Sequence, residues 1–324
     1  MMAVWVCWVR GRVAVRSSLI FCMAVLAVCL AACHRNKSAA GVPAPGQKTY
    51  ASAEDAGKAL AESARTDDER QMLEVFGSGA KDILYSGDAA QDKADMADFA
   101  AAYAQMNRWR RLENGNQVLI VGVTNTAFPV PLRKDAKEQW YFDTPAGATE
   151  LQVRRIGRNE LAAIDIMAGL ADAEEEYFNQ AHEGVKQYAR KFISDEGKEN
   201  GLYWPASAGK GKSPVGPLLA YASEQGAQVK PSLHKPFHGY YFGILVTQGV
   251  WANGGLKDYI RDGAMTRGFG IIAWPAEYGK SGQMSFITNR DRIIYQKDLG
   301  DQTGETARII TQFAPDSSWL RVEQ

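Results

Sequence analysis

Cysteine is almost missing from the part of this chain that can fold. Of the four in 324 residues, Cys7, Cys22 and Cys29 precede Cys33, so a chain cut before Cys33 can close no internal disulfide and must rely on burial. Histidine is equally sparse: His34, His182, His234 and His238 are all that follow Cys29. His234 and His238 have the i, i+4 spacing of a zinc pair, but Pro236 between them argues against the helix that would make the spacing useful, and no metal is expected. Neither sign of charge is in excess, with 37 basic against 37 acidic side chains, which removes the electrostatic case for nucleic acid or for a membrane held by charge.

Catalytic motifs are lacking too. Gly211-Lys212-Ser213 ends like a phosphate-binding loop, but Ala206 stands where its first glycine is required. Ser207 to Lys210 matches Ser-x-x-Lys without the companion elements of that chemistry, and there is no Gly-x-Ser-x-Gly elbow. Glu174 with Glu176 is too generic a pair for glycoside hydrolysis. The expectation is no catalytic residue and no cofactor.

What is present begins at the N-terminus, where a basic stretch with Arg10, Arg12 and Arg16 precedes the apolar run Leu19 to Leu30. Crossing the hydrocarbon takes roughly 20 apolar residues, so this run is too short for an anchor and has the layout of a secretory signal. It closes on Leu30-Ala31-Ala32-Cys33, which resembles the bacterial lipobox, whose cysteine thiol receives a diacylglyceryl group. Residues 1–32 are thus expected to be removed, and Cys33 to tie the product to a membrane. His34 follows instead of the Asp that retains many lipoproteins in the inner membrane, which favours the periplasmic face of the outer membrane. From 33 to 48 the Ala-, Gly- and Pro-rich chain reads as a flexible tether.

An ordered domain is expected over 49–150. Ser52 with Asp55 caps a helix from Ala53 to Ala64, Thr66 with Glu69 caps a second that stops at Gly77, and a third spans Asp95 to Met106. The period then becomes two, giving strands at Val118 to Val123, Ala127 to Leu132 and Gln139 to Phe142. This order is similar to the NTF2-like cone, helices followed by a curved antiparallel sheet. Trp109, Phe128, Trp140, Tyr141 and Phe142 are placed either to line its pocket or to fill it, and filling is the commoner use of aromatics.

Over 151–324 a long helix, Arg154 to Ala181, is expected to turn Leu161, Ile164, Ala168 and Ala171 inward and Glu174, Glu175 and Glu176 to solvent. Val185, Tyr188, Ala189 and Phe192 give a further helical spacing, and Leu218 to Glu224 a short turn. Strands follow at Gly239 to Thr247, Leu256 to Arg261, Gly268 to Trp274, Met284 to Thr288 and Ile293 to Lys297, with hairpin turns at Asp262-Gly263 and Ser281-Gly282.

Five blocks carry a more specific likeness: Arg155 to Ile164, Gly201 to Pro205, His238 to Phe242, Gly268-Phe269 with Ala273 to Gly279, and Tyr295 to Gly300. On these the chain resembles DUF2950, a bacterial envelope family without an assigned activity, and the resemblance implies an exported protein in two parts. Arg292 departs from it, standing where an Asp-Gly turn is usual. The second half is also distantly similar to the globular part of type II pseudopilins, a helix across an antiparallel sheet. The fold expected is therefore α+β, an NTF2-like cone followed by a pseudopilin-like helix and sheet.

Tyr203, Trp204, His238, Tyr240, Tyr241, Trp274, Glu277 and Tyr278 form the candidate binding surface, able to present aromatics and a few polar groups to a glycan or a protein. The plainer alternative is that they join helix to sheet. The reading is an envelope lipoprotein acting as a non-enzymatic binding or assembly factor, with the membrane and an envelope protein or glycan as partners. The alternative is an envelope enzyme or small-ligand carrier using the cone pocket.

Overall fold

A computed structural model describes residues 41–85, 89–182, 184–205, 211–216 and 236–323. The signal segment 1–32, Cys33, the tether through residue 40, the Ser207 to Lys210 pattern, the Leu218 to Glu224 turn and His234 lie outside the described residues. Helices and antiparallel sheets make an α+β protein of two compact units that divide between Arg154 and Arg155. Among the described residues no helix is long and apolar enough to cross a membrane.

In the first unit, α1 (Ala53–Thr66) starts where Ser52 accepts the Asp55 N–H at 3.1 Å. The cap of α2 (Glu69–Phe76) is Asp68, not Thr66, because the Thr66 hydroxyl is spent on the Glu62 carbonyl and Asp67 takes the left-handed stop of α1 at φ 53. Short α3 (Lys81–Leu84) leads to α4 (Ala89–Gln105), which begins well before Asp95. The sheet runs β1 (Asn107–Arg111), β2 (Gln117–Val121), β4 (Leu132–Lys134), β5 (Trp140–Phe142), with β3 (Thr126–Ala127) on β2. Arg108, Arg110 and Arg111 hide β1 from any apolar alternation; on an edge strand such charges discourage further pairing.

Within 41–48, expected as the end of the tether, Gln47 is held against the fold while Val42 stays exposed. The Gln47 amide donates to the carbonyls of Val75 at 3.1 Å and Phe142 at 2.8 Å, tying the segment to the open end of α2 and to the sheet. Beneath it the interior is aromatic. Phe128 lies 6.1 Å from Phe76, 5.2 Å from Phe99 and 6.2 Å from Phe142, centroid to centroid, and all four rings are buried.

Helix α5 (Thr144–Phe178) starts ahead of Arg154 and ends before Ala181. Asp143 caps it, its carboxylate accepting from Ala146 N–H at 3.2 Å, and Pro145 sits in the first turn, where the missing N–H leaves no bond unmade. Gly147 lowers helix propensity but admits the loop between β3 and β4, since a Cβ there would come within 2.6 Å of a Val130 methyl. The buried stripe of α5 matches the expected one in part, since Ala171 is buried and Ile164 packs on the same core. Ala163, Met167, Leu170, Ala171 and Tyr177 face inward, Leu161 and Ala168 are exposed, and Glu174, expected in solvent, is fully buried.

The second unit centres on an antiparallel sheet ordered β17 (Leu320–Arg321), β15 (Tyr295–Asp298), β14 (Met284–Asn289), β13 (Gly270–Pro275), β8 (Tyr240–Leu245). Tyr240, Ile271, Ala273 and Phe286 pack in one core with the buried stripe of α5. Leu245, Ile272 and Ile287 face the other way, onto α6 (Thr303–Ile309), Phe313 and Trp319. Short pairs complete the unit: β6 (Ala181–His182) with β7 (Val185–Lys186), β9 (Thr247–Gln248) between β10 (Lys257–Asp258) and β16 (Gln312–Phe313), and β11 (Ile260–Arg261) with β12 (Ala264–Met265).

The helix expected around Tyr188 is absent because its backbone donors are committed elsewhere. Tyr188 N–H reaches the Met265 carbonyl, and Ala189 N–H the Glu174 carboxyl, both at 2.8 Å. Asp262 and Gly263 make their turn at φ 51 and 80. In the β13–β14 turn the left-handed residue is Gly279, φ 70, and not Gly282. Arg292 adopts φ 61 at the site where glycine would be unstrained, and its guanidinium pairs with Asp172 at 2.6 Å.

Candidate binding cleft

The eight residues expected to form one surface fall in separate places. Trp204 is buried, its indole N–H donating to the Gly211 carbonyl at 2.9 Å, and Tyr203 is bound through its backbone to Phe192. Tyr240 is buried too; its hydroxyl donates to the Met284 carbonyl at 2.8 Å, and burial raises the phenol's pKa. Its neighbour Tyr241 points to the opposite face of the sheet, where it meets Trp274 at 5.8 Å. The Trp274 indole N–H is buried without a hydrogen-bond partner among the described residues.

His238 lies on a turn beside the β13–β14 hairpin tip that carries Glu277 and Tyr278, because Ala276 N–H donates to the Gly239 carbonyl. There His238 sits at φ 47 with its ring edge-on to Phe237, and partial burial lowers its pKa. Glu277 is exposed and bridged to Lys280 at 3.0 Å, while the Tyr278 hydroxyl donates to Asp298 at 3.1 Å. Two α5 residues that sequence reasoning did not single out fix this tip. Asn159 donates to the Ser281 carbonyl at 2.7 Å, and one Glu160 oxygen accepts from the backbones of Gln283 and Met284 at 2.9 and 3.0 Å.

A different place in the second unit has the properties of a binding site, a cleft of about 280 Å³ between the loop after β9 and the end of β14. Its floor is a set of buried polar side chains. The Tyr259 hydroxyl donates to Gln248 at 2.8 Å, the Gln248 amide donates to the carbonyls of Asn253 and Gly255 at 2.9 and 2.6 Å, and Asn289 accepts from Asp291 N–H at 3.0 Å. These bonds hold the loop in one conformation before anything binds. Lys257, Arg267 and Arg290 line the walls, against Asp291.

Gly268 keeps the cleft open at φ 138, where a Cβ would lie 2.9 Å from the Tyr259 ring. Gly268→Ala is expected to cost about 1–3 kcal/mol, from an unfavourable backbone conformation and an overpacked ring. Chemical denaturation checks it; wild-type stability would show that the ring has room to move.

A family model described as a protein of unknown function, DUF2950, matches residues 47–322. The chain belongs to the DUF2950 family. The match spans both units, from the Gln47 that is bound to the α2 end through to the last strand. Neither the curated proteins nor the solved structures offer a match, so the NTF2-like and pseudopilin-like resemblances gain no support from a known fold.

Within this DUF2950 protein a cleft of about 390 Å³ in the first unit is lined by Arg111, Arg133 and Lys134, two of them bridged, Arg133 to Asp143 at 3.4 Å and Lys134 to Glu138 at 2.7 Å. Lys257 and Arg267 form no ion pair among the described residues. No group of three His, Cys, Asp or Glu side chains among the described residues could hold a metal ion.

Proposed function

We propose that this DUF2950 protein is an exported lipoprotein, cut before Cys33, held by lipid on the periplasmic face of the outer membrane, and working there as a non-enzymatic binding or assembly factor for an envelope protein or glycan. The observation that carries the reading is the packing of Phe76, Phe99, Phe128 and Phe142 through the interior of the first unit. An enzyme or carrier using that interior would need it hollow. Recognition chemistry is instead at the surface of the second unit, in a preorganised polar cleft.

In-cell crosslinking followed by identification of the adducts tests the role: reproducible adducts with one envelope component are expected, and turnover of a small molecule by the purified protein would overturn it. The anchor is tested separately. Cys33→Ser removes the thiol that becomes the thioether, so uncleaved precursor should accumulate in the membrane without lipid label. A normally processed, labelled variant would remove the anchor from the proposal.

A further inference from the structure

We infer that the cleft between the loop after β9 and the end of β14 binds the phosphate group of an anionic ligand; the inference rests on the binding-factor reading and names the chemistry of its ligand. Lys257 and Arg267 are cations at the cleft without a counter-ion among the described residues. Arg290 is the third. Its Nε donates to Glu175 at 3.1 Å and its guanidinium lies 5.9 Å from the Tyr188 ring, which orients the group and leaves its two terminal nitrogens without a protein partner among the described residues. Glu175 neutralises Arg290 and Asp291 offsets a further charge, so the cleft keeps a small net positive charge.

Two cations without an ion pair, together with the terminal nitrogens of an arginine that Glu175 holds through Nε, exceed what a carboxylate needs, which one bidentate arginine satisfies, and suit a phosphate with its several charged oxygens. The floor is ready for such a guest, because Tyr259 and Gln248 already satisfy each other, Asn289 is engaged by Asp291 N–H, and none need reorganise. Gly254, at φ 84, and Gly268 carry no side chain where they line the cleft, so at those two positions an oxyanion can approach the backbone closely. The loop that closes the cleft also presents Val250, Trp251 and Leu256 to solvent, exposed by 67%, 67% and 74%. Apolar side chains beside a phosphate site give the group attached to that phosphate something to touch, as a lipid head group would require.

The test is a melting titration of the full-length lipidated protein in detergent, with inorganic phosphate and with glycerophosphoglycerol, at constant ionic strength against chloride. A saturable rise in Tm is expected. Lys257→Ala/Arg267→Ala should melt like wild type without ligand and bind at least tenfold more weakly. Arg267→Gln, which leaves the backbone bond from residue 267 to Tyr259 in place, gives the same reading should the double variant fold poorly. Tighter binding of glycerophosphoglycerol, weakened by Trp251→Ala, supports the site with a lipid head group as source; tighter binding of inorganic phosphate, indifferent to Trp251→Ala, supports it with a free phosphate. No saturable shift with either probe, or an equal shift in the double variant, overturns it. Crosslinked adducts that persist in that case leave the binding-factor reading standing, whereas phosphate binding without adducts defeats that reading alone.

Discussion

Phe128→Ala is expected to destabilise the first unit by about 3–5 kcal/mol, the cost of truncating a large aromatic where neighbours cannot collapse into the space. Its ring touches aromatics from three directions: Phe76 closing α2, Phe99 in the middle of α4 and Phe142 at the end of β5. These are side chains of rigid elements, so the void is retained. A domain is stable by only about 5–15 kcal/mol, so the variant should sit near its unfolding threshold. Trp140→Ala is the control, since Trp140 is half-buried at the rim of the same core with Lys134 over its ring at 5.2 Å; it should cost less. Chemical denaturation of both variants decides. A loss under about 1 kcal/mol for Phe128→Ala would mean that the interior has slack, and would return the pocket to the carrier alternative.

The features legible in the sequence are those decided by neighbours in the chain. Ser52 caps α1 through Asp55, three residues on; Asp262-Gly263 makes a turn of its own; and β8, β13, β14 and β15 lie close to the runs that alternate or stay apolar. Where a residue's partner is remote, the local pattern misled. Val185, Tyr188, Ala189 and Phe192 have helical spacing, yet hydrogen bonds to Met265 and Glu174 hold that stretch extended. Thr66 and Asp68 offer competing caps, and the one not already bonded within α1 prevailed. The β1 arginines gave no period to read, and α6 was not anticipated.

The candidate site was less legible still. Lys257, Arg267 and Arg290 belong to β10, to the stretch before β13 and to the turn after β14, and no spacing in the chain relates them. Gly268 and the Asn159-Glu160 pair did lie in the blocks that resemble DUF2950, but only geometry gave them roles, the first in shaping the cleft and the others in pinning a hairpin. The aromatic cluster dispersed because adjacent strand residues face opposite ways, which separates Tyr240 from Tyr241.

Glu174→Gln is expected to abolish a loss of stability that the wild-type protein suffers as pH rises. Glu174 is wholly buried, one carboxyl oxygen accepting from Ala189 N–H at 2.8 Å and the other without a partner among the described residues. Burial raises its pKa well above the ordinary 4.5, the bond from Ala189 opposes that shift, and the neighbouring Glu175 adds to it. In the unfolded chain the carboxyl loses its proton near pH 4.5, whereas in the fold it keeps it to higher pH. Between those two points the native state binds more protons than the unfolded one, so stability falls with pH by up to about 1.4 kcal/mol per unit, and above the folded pKa the loss is complete. Gln fills the same volume without titrating. The two proteins should therefore be closest in stability near pH 4, and the variant should gain on wild type through neutral pH until the difference levels off. Groups common to both, including carboxylates held low such as Asp195 by Lys191 and Asn200, cancel in that difference. Denaturation midpoints of both proteins across pH 4 to 9 measure it. A difference that stays flat would show that Glu174 ionises as it does in water, and that the inward turn of this face of α5 is wrong.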